Sequence, residues 1–211
     1  MKKIILVLCG WLALCGLANA ARAGEIHDAA QSGDLAKLKA LLDKNPKLLL
    51  VQDEVGKTPL HWAVGKGQTE AVRLLLETYK ADPNIRNKNE GTPLHVAASQ
   101  AQPEAARLLI KYGADVNART RNDSTPLHFA AFKGQKKGHI EAAQVLIDNG
   151  ADVNAKIDTG TTPLSMAMFR QNTEMIALLR KHGAQPGMGQ SGGMGRGRTG
   201  ASGRGNYYID D

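Results

Sequence analysis

Apolar residues recur along this chain in short runs with helical spacing. In Glu70-Ala71-Val72-Arg73-Leu74-Leu75-Leu76 and Glu104-Ala105-Ala106-Arg107-Leu108-Leu109-Ile110 they fall on one face of a helix. Upstream of each run stands a second signal. Thr58-Pro59-Leu60-His61, Thr92-Pro93-Leu94-His95 and Thr125-Pro126-Leu127-His128 are near-copies, and Thr162-Pro163-Leu164-Ser165 differs in one residue. Thr is a good N-cap, and Pro suits the first helical position because its fixed φ fits and its missing N–H costs nothing there. Leu then faces the core, and His is placed to bond backbone groups of the turn or of the next unit. Each tetrad therefore predicts a short first helix, and each apolar run a second. Downstream come Gly113-Ala114-Asp115-Val116-Asn117 and Gly150-Ala151-Asp152-Val153-Asn154. Gly ends a helix in a left-handed conformation, and Asp and Asn suit the extended turn that follows.

The tetrads start 34, 33 and 37 residues apart. A helix–turn–helix unit recurring at about 33 residues with this tetrad closely resembles the ankyrin repeat. The resemblance covers roughly three quarters of the chain. It implies an all-α solenoid of helix-turn-helix units with β-turn or hairpin connections. Five units are expected over residues 24–56, 57–90, 91–123, 124–160 and 161–186. Ile26-His27-Asp28-Ala29-Ala30 aligns with Leu60-His61-Trp62-Ala63-Val64 but lacks Thr and Pro, as a first, capping unit does. Gln135-Lys136-Lys137-Gly138 is an insertion that accounts for the spacing of 37. It is expected to lengthen the loop between the two helices of the fourth unit, as either a solvated basic loop or a binding finger.

The ends are of different material. Lys2 and Lys3 precede an apolar run from Ile4 to Leu17, and Ala18-Asn19-Ala20 and Ala21-Arg22-Ala23 offer small-residue exits. That order predicts a secretory signal peptide over 1–23, cleaved after Ala20 or Ala23, rather than a membrane anchor. Its brevity resembles bacterial export signals and implies a periplasmic or secreted protein with no membrane span after cleavage. Cys9 and Cys15 both lie in this leader, and each follows Leu, unlike a lipid-attachment signal. The remaining chain has no cysteine, so repeat stacking, not disulfides, must hold it. Residues 187–211 hold nine glycines between Gly187 and Gly205, with Arg196, Arg198 and Arg204 among them. Such a segment buries almost nothing and is expected to be a disordered tail. Tyr207-Tyr208-Ile209-Asp210-Asp211 beyond it either docks back on the last unit or serves as a short recognition tag.

The formal charge of +7 falls to +4 without Lys2, Lys3 and Arg22; the tail carries +1, leaving about +3 on the repeats. That mild excess favours an acidic partner slightly and does not imply nucleic acid. The histidines invite a metal reading. Stacked about one repeat apart, roughly 10 Å, His61, His95 and His128 are too distant to share a zinc ion. His27 aligns with the same column, and His139 and His182 sit at loop or helix-end positions. Asp158-Thr159-Gly160-Thr161 matches an aspartic protease signature by letter, but it fills the turn before a helix-starting tetrad. No serine triad, phosphate loop or metalloprotease motif appears. The expectation is a non-enzymatic protein without cofactor or metal, monomeric, with a protein partner.

Proteins of the ankyrin class bind partners through the turn tips and the first-helix face lining a concave groove. The matching turn positions are Glu54, Val55 and Lys57; Lys88, Asn89 and Gly91; Arg121, Asn122 and Ser124; and Asp158, Thr159 and Thr161, of which Glu54, Val55, Lys57, Lys88, Asn89, Arg121 and Asn122 are taken as binding residues. On the first helices one column reads Gly65, Ser99, Phe132, Phe169, and its neighbour Lys66, Gln100, Lys133, Arg170. Phe132 and Phe169 are expected to form an apolar spot flanked by Lys133 and Arg170, as at binding hot spots. For Phe169 a second reading is that it shields the core at the end of the stack. The function expected is an exported protein-binding scaffold. Alternatives are a secreted factor acting on host proteins, a nucleic-acid or polyanion binder working through the Gly/Arg tail, and a protective partner of an exported enzyme.

Overall fold

The computed structural model describes residues 24–134 and 136–187. Residues 1–23 and 188–211 lie outside the described residues, and with them the expected signal peptide and nearly all of the Gly/Arg-rich tail. Among the described residues every regular element is helical. α1 covers residues 24–32, and α2 is Leu35–Lys44. A 3-10 turn, Pro46–Leu50, follows. Then come the pairs α3 (Pro59–Gly65) and α4 (Thr69–Arg73), α5 (Pro93–Ser99) and α6 (Pro103–Lys111), α7 (Pro126–Lys133) and α8 (Lys137–Asp148), and α9 (Pro163–Phe169) and α10 (Thr173–Lys181). α3 packs on α5, α5 on α7 and α7 on α9, and among the second helices α6 packs on α8, as a solenoid requires.

Packing repeats with the sequence. Leu60, Leu94, Leu127 and Leu164 of the tetrads are buried, as are Leu75, Leu109, Leu146 and Leu179 of the second helices. Ala63, Ala97, Ala130 and Ala167 let the paired helices approach closely. These columns join into one core running the length of the described stack. No helix among the described residues is long and apolar enough to cross a membrane.

The irregular spacings are absorbed in the helices. The spacing of 34 leaves one residue too many in the second unit. α4 passes into a π-helical turn, Leu74–Thr78, where the Tyr79 amide reaches back to the Leu74 carbonyl. A π-turn is what one extra residue makes of an α-helix. The four-residue insertion corrects the expectation of a longer loop. Three residues separate α7 from α8, the same number as between α5 and α6. α7 has eight residues where α5 has seven, and α8 twelve where α6 has nine, so the insertion is taken up by the two helices. Its physical reason is His139. The ring's Nδ1 accepts from the Lys136 amide (3.2 Å) and Nε2 donates to the Ser99 carbonyl (3.0 Å) of the preceding unit. The added turn is thus capped and docked. Gly138 lies so close to the preceding unit that a Cβ there would stand 2.6 Å from the Ala101 carbonyl oxygen.

Candidate functional site

The tetrads set the site's frame. Thr58 and His61 form a capping box at the start of α3, as Thr92 with His95 and Thr125 with His128 do on α5 and α7. His61 Nδ1 accepts from the Thr58 amide (3.2 Å), so this nitrogen carries no proton. Nε2–H then donates to the Gly91 carbonyl of the next unit (3.2 Å). His95 reaches the Ser124 carbonyl (3.0 Å), and His128 the Thr161 carbonyl (3.3 Å). His27 makes a comparable reach to the Val51 carbonyl (3.0 Å). Burial pushes His61, His95 and His128 down to about 4, and the backbone bonds oppose this only partly. Both ring nitrogens of each tetrad histidine are therefore spent on the scaffold. Among the described residues no three His, Asp, Glu or Cys side chains gather as a metal set. In the fourth copy Ser165 is too short for the reach, and its hydroxyl donates instead to the Gly187 carbonyl (3.1 Å). Gly160 turns the Asp158-Thr159-Gly160-Thr161 segment with its amide on the Ile157 carbonyl (2.9 Å), so this segment is a turn leading into α9.

The turn tips are braced on one another. The Asp53 carboxylate accepts from the Val55 (3.0 Å) and Lys57 (2.7 Å) amides, and the Asn87 side chain does the same for Asn89 and Gly91. Adjacent tips are linked by backbone bonds from Lys88 to Val55 (3.2 Å), from Arg121 to Asn89 (3.2 Å) and from Asp158 to Asn122 (3.5 Å). Lys88 Nζ donates to the Glu54 carbonyl (2.5 Å), and the Arg121 guanidinium to the Lys88 carbonyl (2.7 Å). Gly56 holds φ +84°, and a Cβ there would meet the Lys88 amide nitrogen at 2.5 Å, so only glycine permits this link. The opposite ends of the units are stitched by Asn84, Asn117 and Asn154. Asn84, for example, accepts from the Asp115 amide (2.8 Å) and donates to the Gly113 carbonyl (2.9 Å).

Between tips and first helices lies a shallow depression of about 100 Å³. The tips contribute Val55, Lys57, Asn87, Asn89, Gly91 and Thr120; α5 contributes His95, Val96 and Ser99, and its C-cap Gln100; α7 contributes Phe129. Four of the sequence-predicted residues meet here: Val55, Lys57, Asn89 and Gln100. Glu54, Lys88, Arg121 and Asn122 stand exposed on the tips outside it, and Lys66 is exposed at the end of α3. The C-terminal half forms a separate cluster. Phe132 is half-buried against the core, with the Arg170 guanidinium of the next unit 5.0 Å above its ring. Lys133 is half-buried beside it. Phe169 is 77% exposed, which rules out the reading that it shields the core. The Phe132 ring carries a cation on its face, so the expected spot is a stacked cation and ring next to an open phenyl group.

Sequence reasoning missed the column directly after the tetrad histidine: Trp62, Val96, Phe129 and Met166. The Phe129 ring meets His95 edge-on at 5.3 Å, and Val96 lines the depression. Trp62 donates to Asp53 (2.9 Å) and carries Lys57 Nζ 5.2 Å above its ring. The available signal was variation, since this column changes from copy to copy as much as the two columns chosen.

A family profile described as ankyrin repeats (3 copies) matches residues 26–120, 79–157 and 119–190. The chain is 48% identical over 63 residues to the human DNA-binding protein RFXANK, covering 30% of this chain and 24% of that one. It is 43% identical over 61 residues to the mouse 2-5A-dependent ribonuclease, covering 29% of this chain and 8% of that one. It is 40% identical over 81 residues to the rice probable E3 ubiquitin-protein ligase XBOS32, covering 37% and 16%. The matches thus span a quarter or less of each relative's length, and the repeats are what is shared. With the family match running over most of its length and the stacked helix pairs it folds into, the chain belongs to the ankyrin-repeat family.

Proposed function

We propose that this chain is an exported, non-enzymatic scaffold that holds a protein partner along its concave groove. The observation carrying this is the depression between the tips and α5. Half-buried Val55, Val96 and Phe129 lie there beside Lys57 and Gln100, an apolar floor with polar rims. Ankyrin repeats as a family mediate protein–protein contacts, which supports the reading. The groove positions carry Lys57, Lys66, Lys88, Arg121, Lys133 and Arg170 against Glu54, so an acidic segment of the partner is favoured. Export rests on the leader over residues 1–23, with a bacterial periplasm or the medium as destination.

The test is crosslinking capture with the native chain and two surface variants. Gln100→Glu/Lys57→Glu alters the groove; Glu70→Lys/Arg107→Glu alters the outer face. Loss of partners with the first variant alone supports the groove, and equal recovery with both sinks it. Mass spectrometry of the expressed chain checks export: a mature N-terminus at Ala21 or Gly24 is expected, and an intact leader overturns that part.

A further inference from the structure

The last unit ends on an apolar face that every inner unit covers. Met168 of α9 aligns with Val64, Ala98 and Ala131, which are all fully buried by the unit that follows. Met168 itself is 43% exposed. Ile176 of α10 aligns with Val72, Ala106 and Ala143, again fully buried, and it is only half-buried. The exchange continues at Ala177, where the inner units carry Arg73, Arg107 and Gln144. Met168, Ile176 and Ala177 line a broad concavity of about 500 Å³ together with Gln171, Thr173 and Arg180, and Lys181 is next in sequence. A terminal unit is expected to turn a polar face outward, and this one keeps Met168, Ile176 and Ala177 among its polar residues there.

We infer that residues 207–211 of the same chain cover this face. Tyr207-Tyr208-Ile209 supplies apolar side chains, and Asp210-Asp211 supplies the charge that Arg180 and Lys181 match. The chain also leaves the fold in the right place. Gly187 is pinned at the start of α9, its amide donating to Ser165 Oγ (2.9 Å) and Thr162 Oγ1 (3.0 Å). Nineteen residues separate it from Tyr207. A glycine-rich stretch of that length reaches roughly 25 Å even as a random chain, against about 10 Å for the length of α9. Tethering sets an effective concentration in the millimolar range, well above that of a second copy in dilute solution.

Hydrogen exchange by mass spectrometry tests this on the full chain. Three proteins are compared: the native chain, one ending at Asn206, and Tyr207→Ser/Tyr208→Ser/Ile209→Ser. Exchange in α9 and α10 is expected to be about tenfold faster in both altered proteins, with α3 to α7 unchanged. Arg180→Glu is expected to reproduce part of the loss. Equal exchange in all three proteins overturns the inference. Protection that grows with protein concentration also overturns it, because it assigns the face to a second copy.

Discussion

The geometry at each tetrad histidine fixes its protonation. The Thr58 amide can only donate, so Nδ1 of His61 accepts and Nε2 holds the proton that bonds Gly91. An imidazolium would place a second N–H against the Thr58 amide in a buried site, which is why the group stays neutral. Lys80 shows a cost at the same scale. It occupies the position held by Gly113 and Gly150 in later units and takes φ +53°, a left-handed conformation that L side chains adopt at a penalty. Lys80→Gly should raise the unfolding free energy by about 1 kcal/mol, with an unchanged denaturant slope. Gly113→Ala should lower it by a similar amount, since a Cβ there meets no atom within 4 Å and backbone strain alone acts.

At the scale of the element, the question is how helices absorb residues that break the period. α4 takes one as a π-turn. α7 and α8 take four while the loop between them keeps its length. The second case depends on Gly138, which lets the new turn lie against Ala101. Gly138→Ala should therefore cost on the order of 1–3 kcal/mol, by overpacking against backbone. Lys137→Ala, on the exposed side of the same turn, should stay within about 0.5 kcal/mol. Chemical denaturation of the two variants checks this, and similar losses would mean that the turn is not docked. The sequence showed that four residues were extra but not which element would hold them. His139 reads as an isolated loop histidine until Lys136 and Ser99 are seen around it.

Across the whole molecule, the histidine column makes stability depend on pH. His61, His95 and His128 have folded values near 4 against 6.5 unfolded. Between these values the unfolded chain binds more protons, so the stabilisation is complete above pH 6.5 and is lost as pH falls toward 4. From pH 7 to pH 5 each histidine should remove about 2 kcal/mol. His95→Gln, although less stable at pH 7, should show a pH dependence smaller by that amount. An unchanged dependence would show that His95 is not neutral and buried in solution. Binding belongs to this scale too. Of the thirteen positions read as a binding surface, Val55, Lys57, Asn89 and Gln100 meet at one depression, while Phe132, Lys133, Phe169 and Arg170 lie toward the other end. Val96 and Phe129 complete the depression because three successive tips and the first helices of two units converge there, a juxtaposition absent from any one repeat.

The repeating unit is legible from local pattern alone. Caps, first-turn prolines, buried leucines and helix-ending glycines act within a few residues of one another, so their pattern carries its own explanation. Even the reach of each histidine to the next unit was legible, because identical units stack with one fixed offset. What breaks that identity emerges only when the units stack: an insertion folded into two helices, Phe169 left open while Arg170 stacks on Phe132, and apolar Met168 and Ile176 left partly open among the described residues. Those outcomes depend on which surface a neighbour covers, and burial is set by contacts between units that are remote in the chain.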